Sequence, residues 1–241
     1  VKKSVTMLIT TSQRRRCLDT PAYRISMNNE TLLRVQEAKI LGVLFDENLT
    51  FESHVNKLCK KVSMKLGIFR KLRNILTLPV KKMLYNAIVL PHTDYADVIW
   101  GTASTTIINK VFVLQKRALR LLTNSHYLEH TDALYKQLGW MKLADRINFH
   151  KCVLVYKALN NKLPSYMRSL MQYVREAHSR ETRLSAKGCL SVPNVKLSLF
   201  KRSFQYSAIH KWNQLPEHIR ASPSLNIFKS QFLKYHFEVP T

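Results

Sequence analysis

The chain has 241 residues, 46% of them hydrophobic, which suffices to bury one large core or two small ones and excludes disorder as the default state. Its 39 Lys and Arg against 15 Asp and Glu give a formal charge of +24, more than solubility requires, and point to a polyanionic partner. No apolar run reaches the roughly 18 residues of a membrane span and no secretory leader pattern is present, so nucleic acid is preferred over an anionic membrane surface, and an intracellular site, nucleus or cytoplasm, is expected.

Residues 1–50 read as β-rich, with strands expected over Val5–Thr10, Tyr23–Met27, Thr31–Val35 and Ala38–Phe45. Met27-Asn28-Asn29-Glu30 carries a hairpin signal, because Asn tolerates positive φ. Ile40 to Phe45 reads as a buried strand in which Gly42 marks a close backbone approach. From Phe51 the period becomes helical. Val55, Leu58, Val62, Leu66, Phe69, Leu72 and Leu76 recur every three or four residues and form one apolar stripe on a helix of about six turns. Pro79 predicts the start of a second helix, with Val80, Met83, Leu84, Ala87 and Ile88 buried, and Pro91 ends or kinks it. A third helix is expected over Thr105–Leu122, with Ile107, Ile108, Val111, Leu114, Ala118 and Leu121 inward, and a fourth over Leu143–Leu159. Residues 164–197 are irregular and linker-like. An amphipathic helix over Leu199–Trp212, a break at Leu215-Pro216 and a last helix over Ser224–Phe237, N-capped by Ser224, complete the chain. Trp100 and Trp212 read as core residues.

The charge is unevenly spread. Between Glu52 and Asp94 no acidic residue occurs, while Lys57, Lys60, Lys61, Lys65, Arg70, Lys71, Arg73, Lys81 and Lys82 are basic. Lys57, Lys61 and Lys65 stand four residues apart, so one row of ammonium groups runs along a helix face. Like charges so placed repel, a cost that a phosphate backbone offsets. Lys116, Arg117 and Arg120 form a second cluster, for which phosphate contact and a solvated helix face are both open.

Cys17, Cys59, Cys152 and Cys189 are widely spaced and are expected as buried or free thiols. His126, His130, His150 and Cys152 are a conceivable zinc set, but structural zinc sites have tighter cysteine spacing, and no metal is expected. No nucleophile with a base and an orienting group is visible, nor any Walker or Rossmann pattern.

The segment A-K-I-L-G-V-L-F-D-E-N-L-T-F-E-S-H-V, Ala38 to Val55, resembles the palm-to-thumb junction of reverse transcriptases from non-LTR, LINE-type, jockey-like retrotransposons. Leu90-Pro91-His92-Thr93-Asp94-Tyr95-Ala96 with Trp100-Gly101, then Leu114-Gln115-Lys116-Arg117-Ala118-Leu119-Arg120, then His130-Thr131 follow in that family's order. Trp212-Asn213-Gln214-Leu215-Pro216-Glu217-His218-Ile219-Arg220 and Ser224-Leu225 with Phe228-Lys229 are similar to a tail of such elements.

The resemblance implies a mainly α chain: a β-rich palm remnant over 1–50, a helical thumb over 51–163, the linker-like 164–197 and a helical carboxy-terminal segment over 198–241. It implies that the first long helix lies along template RNA and primer DNA, that a hairpin at Leu41, Gly42 and Val43 supports the primer end, and that the remaining palm and fingers of the polymerase are partners. The family's paired catalytic Asp residues, which hold Mg²⁺, have no counterpart here: Asp19, Asp46, Asp94, Asp97, Asp132 and Asp145 include no adjacent pair. The chain therefore reads as a carboxy-terminal piece with no catalytic residues and no cofactor of its own, Mg²⁺ being expected only for the intact polymerase. Primer extension with Mg²⁺ on a primed RNA template should give no product from the chain alone. The rival readings are a relict or repurposed helical interaction module and, less favoured for want of a carboxylate cluster, a metal-dependent enzyme in its own right.

Overall fold

The computed structural model describes residues 4–17, 25–177 and 187–238. The chain is mainly α with a small β part near its N-terminus. It divides into two compact units, Val1–Ala96 with Ala103–Trp140, and Asp97–Thr102 with Met141–Thr241. The expected helical body 51–163 is thus shared between both units, with its last long helix in the second.

In the first unit the strands are short and form three separate pairs. β1 (Val5–Thr6) runs parallel to β4 (Leu33–Arg34), and β2 (Ser26–Met27) pairs with β3 (Glu30–Thr31) across Asn28 and Asn29, both at positive φ, as the turn chemistry requires. The expected strand over Tyr23–Met27 begins outside the described residues. β5 (Glu37–Ile40) and β6 (Val43–Asp46) are antiparallel, with Ile40 opposite Val43. The continuous strand expected through Ile40–Phe45 is therefore a hairpin: Leu41 at φ 46° and Gly42 at φ 86° reverse the chain in two residues. Gly42 takes that conformation without a Cβ penalty, whereas Leu41 bears strain. The short α1 (Ser12–Cys17), not expected from the sequence, is held to this hairpin by Arg15, which pairs with Glu47 at 2.6 Å and donates to Thr10 O and Asn48 Oδ1.

α2 (Glu52–Lys71) begins where Asp46 folds back. Its carboxylate accepts the N–H groups of Asn48, Thr50 and Phe51, the last at 2.7 Å. Partial burial alone would raise the Asp46 pKa, but these donors outweigh it and hold the pKa below the ordinary value. Val55, Leu58, Val62, Leu66 and Phe69 are buried, as the stripe predicts, chiefly against α6 (Thr105–Thr123). Ser104 caps α6 by accepting from Ile107 N. α3 (Leu78–Ile88) departs from its expected face. Val80 and Met83 are exposed at 39% and 67%, while Lys81 and Tyr85 are buried. The helix is turned because Lys81 carries its ammonium to the carbonyl end of α6, where it donates to Asn124 Oδ1 at 2.8 Å. α4 (Leu90–Asp94) follows directly. α7 (Thr131–Leu138), also unexpected, closes the unit by packing Leu134, Tyr135 and Leu138 on Leu119.

In the second unit α8 (Leu143–Leu159) is central, as predicted in extent, with α5 (Asp97–Trp100) against it and Trp100 fully buried. α9 (Ser165–Ser169), α10 (Val174–Ala177), α11 (Ser198–Arg202), α12 (Phe204–Gln214), α13 (Glu217–Arg220) and α14 (Leu225–Glu238) follow. The single helix expected over Leu199–Trp212 is two, because Ser203 leaves the helical conformation and its hydroxyl accepts from Tyr206 N to start α12 afresh. Ser224 accepts from Ile227 N at the start of α14. Tyr156, Trp212 and Phe228 stack in the core, with ring centroids 4.8 and 5.6 Å apart for the two contacts to Phe228. The Trp212 to Arg220 block is a structural clamp. Asn213 exchanges two 2.8 Å hydrogen bonds with the Leu190 backbone, and Arg220 donates to Gly188 O and Lys187 O.

Lys151 is buried on α8, where its ammonium donates to Ser207 Oγ at 2.8 Å. Burial, opposed by Asp97 and Cys152 and aided by Lys211, lowers its pKa to about 8. A depressed folded-state value means the unfolded chain holds more protons between pH 8 and 10.5, so this stabilising contribution is present above 10.5 and is lost as pH falls through 8. The total is about 3 kcal/mol. Relative to Lys151→Met, urea unfolding of the parent chain should show stability rising across that window. Cys152, raised by burial to about 12, gives an opposite slope above pH 9 in both proteins and cancels to first order.

Candidate nucleic-acid interface

The first unit assembles the candidate surface from α2, the β5–β6 hairpin and α4. With five apolar side chains of α2 turned inward, its opposite face presents Lys57, Lys60, Lys61 and Lys71 to solvent, with Lys65 at the edge. The row Lys57, Lys61, Lys65 extends about 12 Å along the helix axis. His92 on α4 lies beside it. Burial lowers the His92 pKa, and the nearby Lys65 and Lys61 lower it further. His54, on α2 itself, is lowered by burial and by Lys61. Both imidazoles are thus shifted the same way, first by burial and then by the positive charge of the lysine row.

The solvent face also carries apolar residues that periodicity alone did not flag. Met64 is 69% and Ile68 47% exposed, and Gly67 lies between them with open space where a Cβ would stand. A helix-interior Gly costs roughly 0.5–1 kcal/mol relative to Ala, and neither φ nor packing requires one here. Gly67→Ala should accordingly raise the thermal midpoint, which scanning calorimetry would register.

At the hairpin, Val43 is buried at 2% exposure while Leu41 is 86% exposed at the tip. The Tyr95 hydroxyl, at the end of α4, donates to Leu41 O, and the Tyr95 ring would lie 3.3 Å from a Cβ placed on Gly42. Tyr95, part of the Leu90 to Ala96 block that resembles the family, holds the turn on which the primer-supporting expectation rests.

The remaining expected cations separate. Arg70 and Arg117 are exposed and Lys82 is half-buried. Lys116 lies over the Phe112 ring at 4.5 Å. Three others direct donors into the protein. Arg73 donates to Asn124 O at 2.6 Å, Arg120 donates through Nε and Nη2 to Glu129 O, and Lys81 is 3% exposed with its pKa lowered by burial and by Arg73. The acceptors are the last carbonyls of α6 and those of the loop that follows it. Gln115 accepts from the Tyr135 hydroxyl at 2.8 Å. Of the conceivable zinc ligands, His126 and His130 are exposed, His150 is 2.6 Å from the Asp97 carboxylate, and Cys152 is buried.

The chain is 30% identical over 159 residues, 65% of its length, to the RNA-directed DNA polymerase from mobile element jockey of Drosophila funebris, of which this stretch covers 17%. It is 28% identical over 126 residues to the jockey polymerase of Drosophila melanogaster, covering 51% of the chain and 14% of that protein. It is 32% identical over 116 residues to the protein named probable RNA-directed DNA polymerase from transposon X-element of Drosophila melanogaster, covering 47% of the chain and 13% of that protein. The chain thus spans less than a fifth of these relatives, at 17%, 14% and 13%. No family model matches it. No solved structure matches it either. The chain is thus similar to a stretch of the RNA-directed DNA polymerases of these mobile elements.

Proposed function

We propose that the chain is a nucleic-acid-binding part of such a polymerase, in which α2 holds template RNA and primer DNA by phosphate contacts and the β5–β6 hairpin supports the primer end. The observation that carries this reading is the exposed lysine row on a helix within a segment, residues 53–93, that has no acidic residue. Each lysine that meets a phosphate releases condensed counterions, so affinity is independent of base sequence and steeply dependent on salt. Exposed Met64 and Ile68 supply apolar contact beside the charges, and Gly67 lets a duplex approach the helix backbone. Tyr95 fixes the hairpin tip against α4.

Mg²⁺ chemistry needs open carboxylates on two metal ions. Asp46 is committed to the turn amides and Asp97 pairs with His150. Mg²⁺ binding is assigned to the intact polymerase. No described helix is long and apolar enough to cross a membrane.

Filter retention of an RNA–DNA hybrid by the chain, titrated across salt concentrations, tests the reading. Retention that weakens linearly in log salt supports it. No retention, or retention indifferent to salt, would favour a helical interaction module with solvated basic faces.

A further inference from the structure

Helix α11, in the second unit, exposes Ser198, Leu199, Phe200 and Lys201, with Arg202 half-buried. Every residue from Lys196 to Lys201 is exposed, including Leu197 at 70%, Leu199 at 45% and Phe200 at 40%. Scattered surface apolar residues need no explanation, but a contiguous run marks an interaction site. The break at Ser203 creates it. Phe200 and Phe204 stand four residues apart and would share a face of an unbroken helix. The Ser203 cap separates them, so that Phe204 packs on the core and Phe200 is left outside.

The charge around this run has one sign. Lys196, Lys201 and Arg202 flank the apolar residues, and among the described residues their side chains make no hydrogen bond or ion pair. The sequence has no acidic residue from 182 to 216. A protein partner of ordinary composition would leave these cations unmatched. A polyanion that also offers flat apolar faces matches both features.

We propose that α11 and its flank form a second nucleic-acid site, one that takes single strands: an unpaired base stacks on Phe200 beside Leu199, while Lys196, Lys201 and Arg202 meet the adjoining phosphates. An aromatic ring can stack only on a base face that no neighbouring base covers, so the site selects single-stranded over duplex nucleic acid. The inference rests on the nucleic-acid reading of the chain but on residues remote in sequence from the α2 row, so the two can fail separately.

Fluorescence anisotropy with the full chain and a labelled oligouridylate of about 20 nucleotides tests it. Phe200→Ala should weaken binding by about five- to a hundredfold. Phe200→Trp should restore it, whereas Phe200→Leu should behave like Ala, because an aliphatic chain buries area without stacking. Replacing Lys201 and Arg202 by Gln should flatten the slope of log K against log salt by about 1.4, at roughly 0.7 per phosphate contact on a single strand. Affinity for a blunt RNA–DNA hybrid should be unchanged in all of these variants. Absence of oligouridylate binding, wild-type behaviour of Phe200→Leu, an equal loss on the hybrid, or phosphatidylserine vesicles that compete with the same Phe200 dependence would overturn the proposal. A triple Gln replacement of the α2 row that leaves hybrid binding intact, with the Phe200 effect retained, would instead overturn the reading of α2 and leave this site standing.

Discussion

Replacing Lys57, Lys61 and Lys65 together by Gln is expected to flatten the salt dependence of RNA–DNA hybrid binding by about two to three units of log K against log salt, because each phosphate contact contributes about 0.7 to 0.9. The loss should be the same for hybrids of any sequence, since phosphate contacts position a duplex without reading it. The fold should survive. Lys57 and Lys61 are exposed, Lys65 lies at the edge of the face, and Gln keeps both helix propensity and much of the aliphatic stem. Circular dichroism checks that point. The same replacement of Lys229 and Lys234 on α14 is the control, expected to change the slope less. An unchanged slope in the triple variant, or an equal loss in the control, would reduce the row to a solvated face. Lys81→Gln belongs to neither arm, because its ammonium is buried against α6 and its loss acts on stability.

The largest expected effect on stability is that of Trp212→Ala, about 3–5 kcal/mol. Trp212 is 2% exposed, and its ring stacks on Phe228, which stacks in turn on Tyr156. Truncation would leave a cavity between α8, α12 and α14, bounded by rings that cannot collapse without leaving their rotamers. The same helix turn carries Asn213, whose side chain holds Leu190 N and O, so loosening α12 should also release the backbone near Leu190. Guanidinium unfolding followed by tryptophan fluorescence from Trp100 and Trp140 measures the shift. A midpoint that does not move would make Trp212 peripheral, contrary to its burial.

Much of this architecture is written locally. The stripe Val55, Leu58, Val62, Leu66 and Phe69 determines α2 and its buried face, because a helix repeats every 3.6 residues and neighbours three or four apart share a side. The extents of α6 and α8 and the cap at Ser224 follow from the same short-range rules. So does the solvent placement of Lys57 and Lys61, which lie off that stripe.

What local pattern could not determine is whatever depends on a partner distant in sequence. Lys81 resembles its basic neighbours until Asn124, 43 positions away, draws it into the protein. Arg73 and Arg120 likewise read as surface cations and turn to carbonyls between α6 and α7. Ile40 to Phe45 is apolar enough for one strand, but the reversal at Leu41 and Gly42 comes with Val43 buried in the core and Leu41 held by Tyr95. The block Trp212 to Arg220 stood out by family resemblance alone, and its role as a clamp is visible only once Leu190 and Gly188 are beside it. Periodicity reports which side of an element faces inward; which donor meets which acceptor is decided by tertiary packing, because a buried polar group is stable only where a partner has been brought to it.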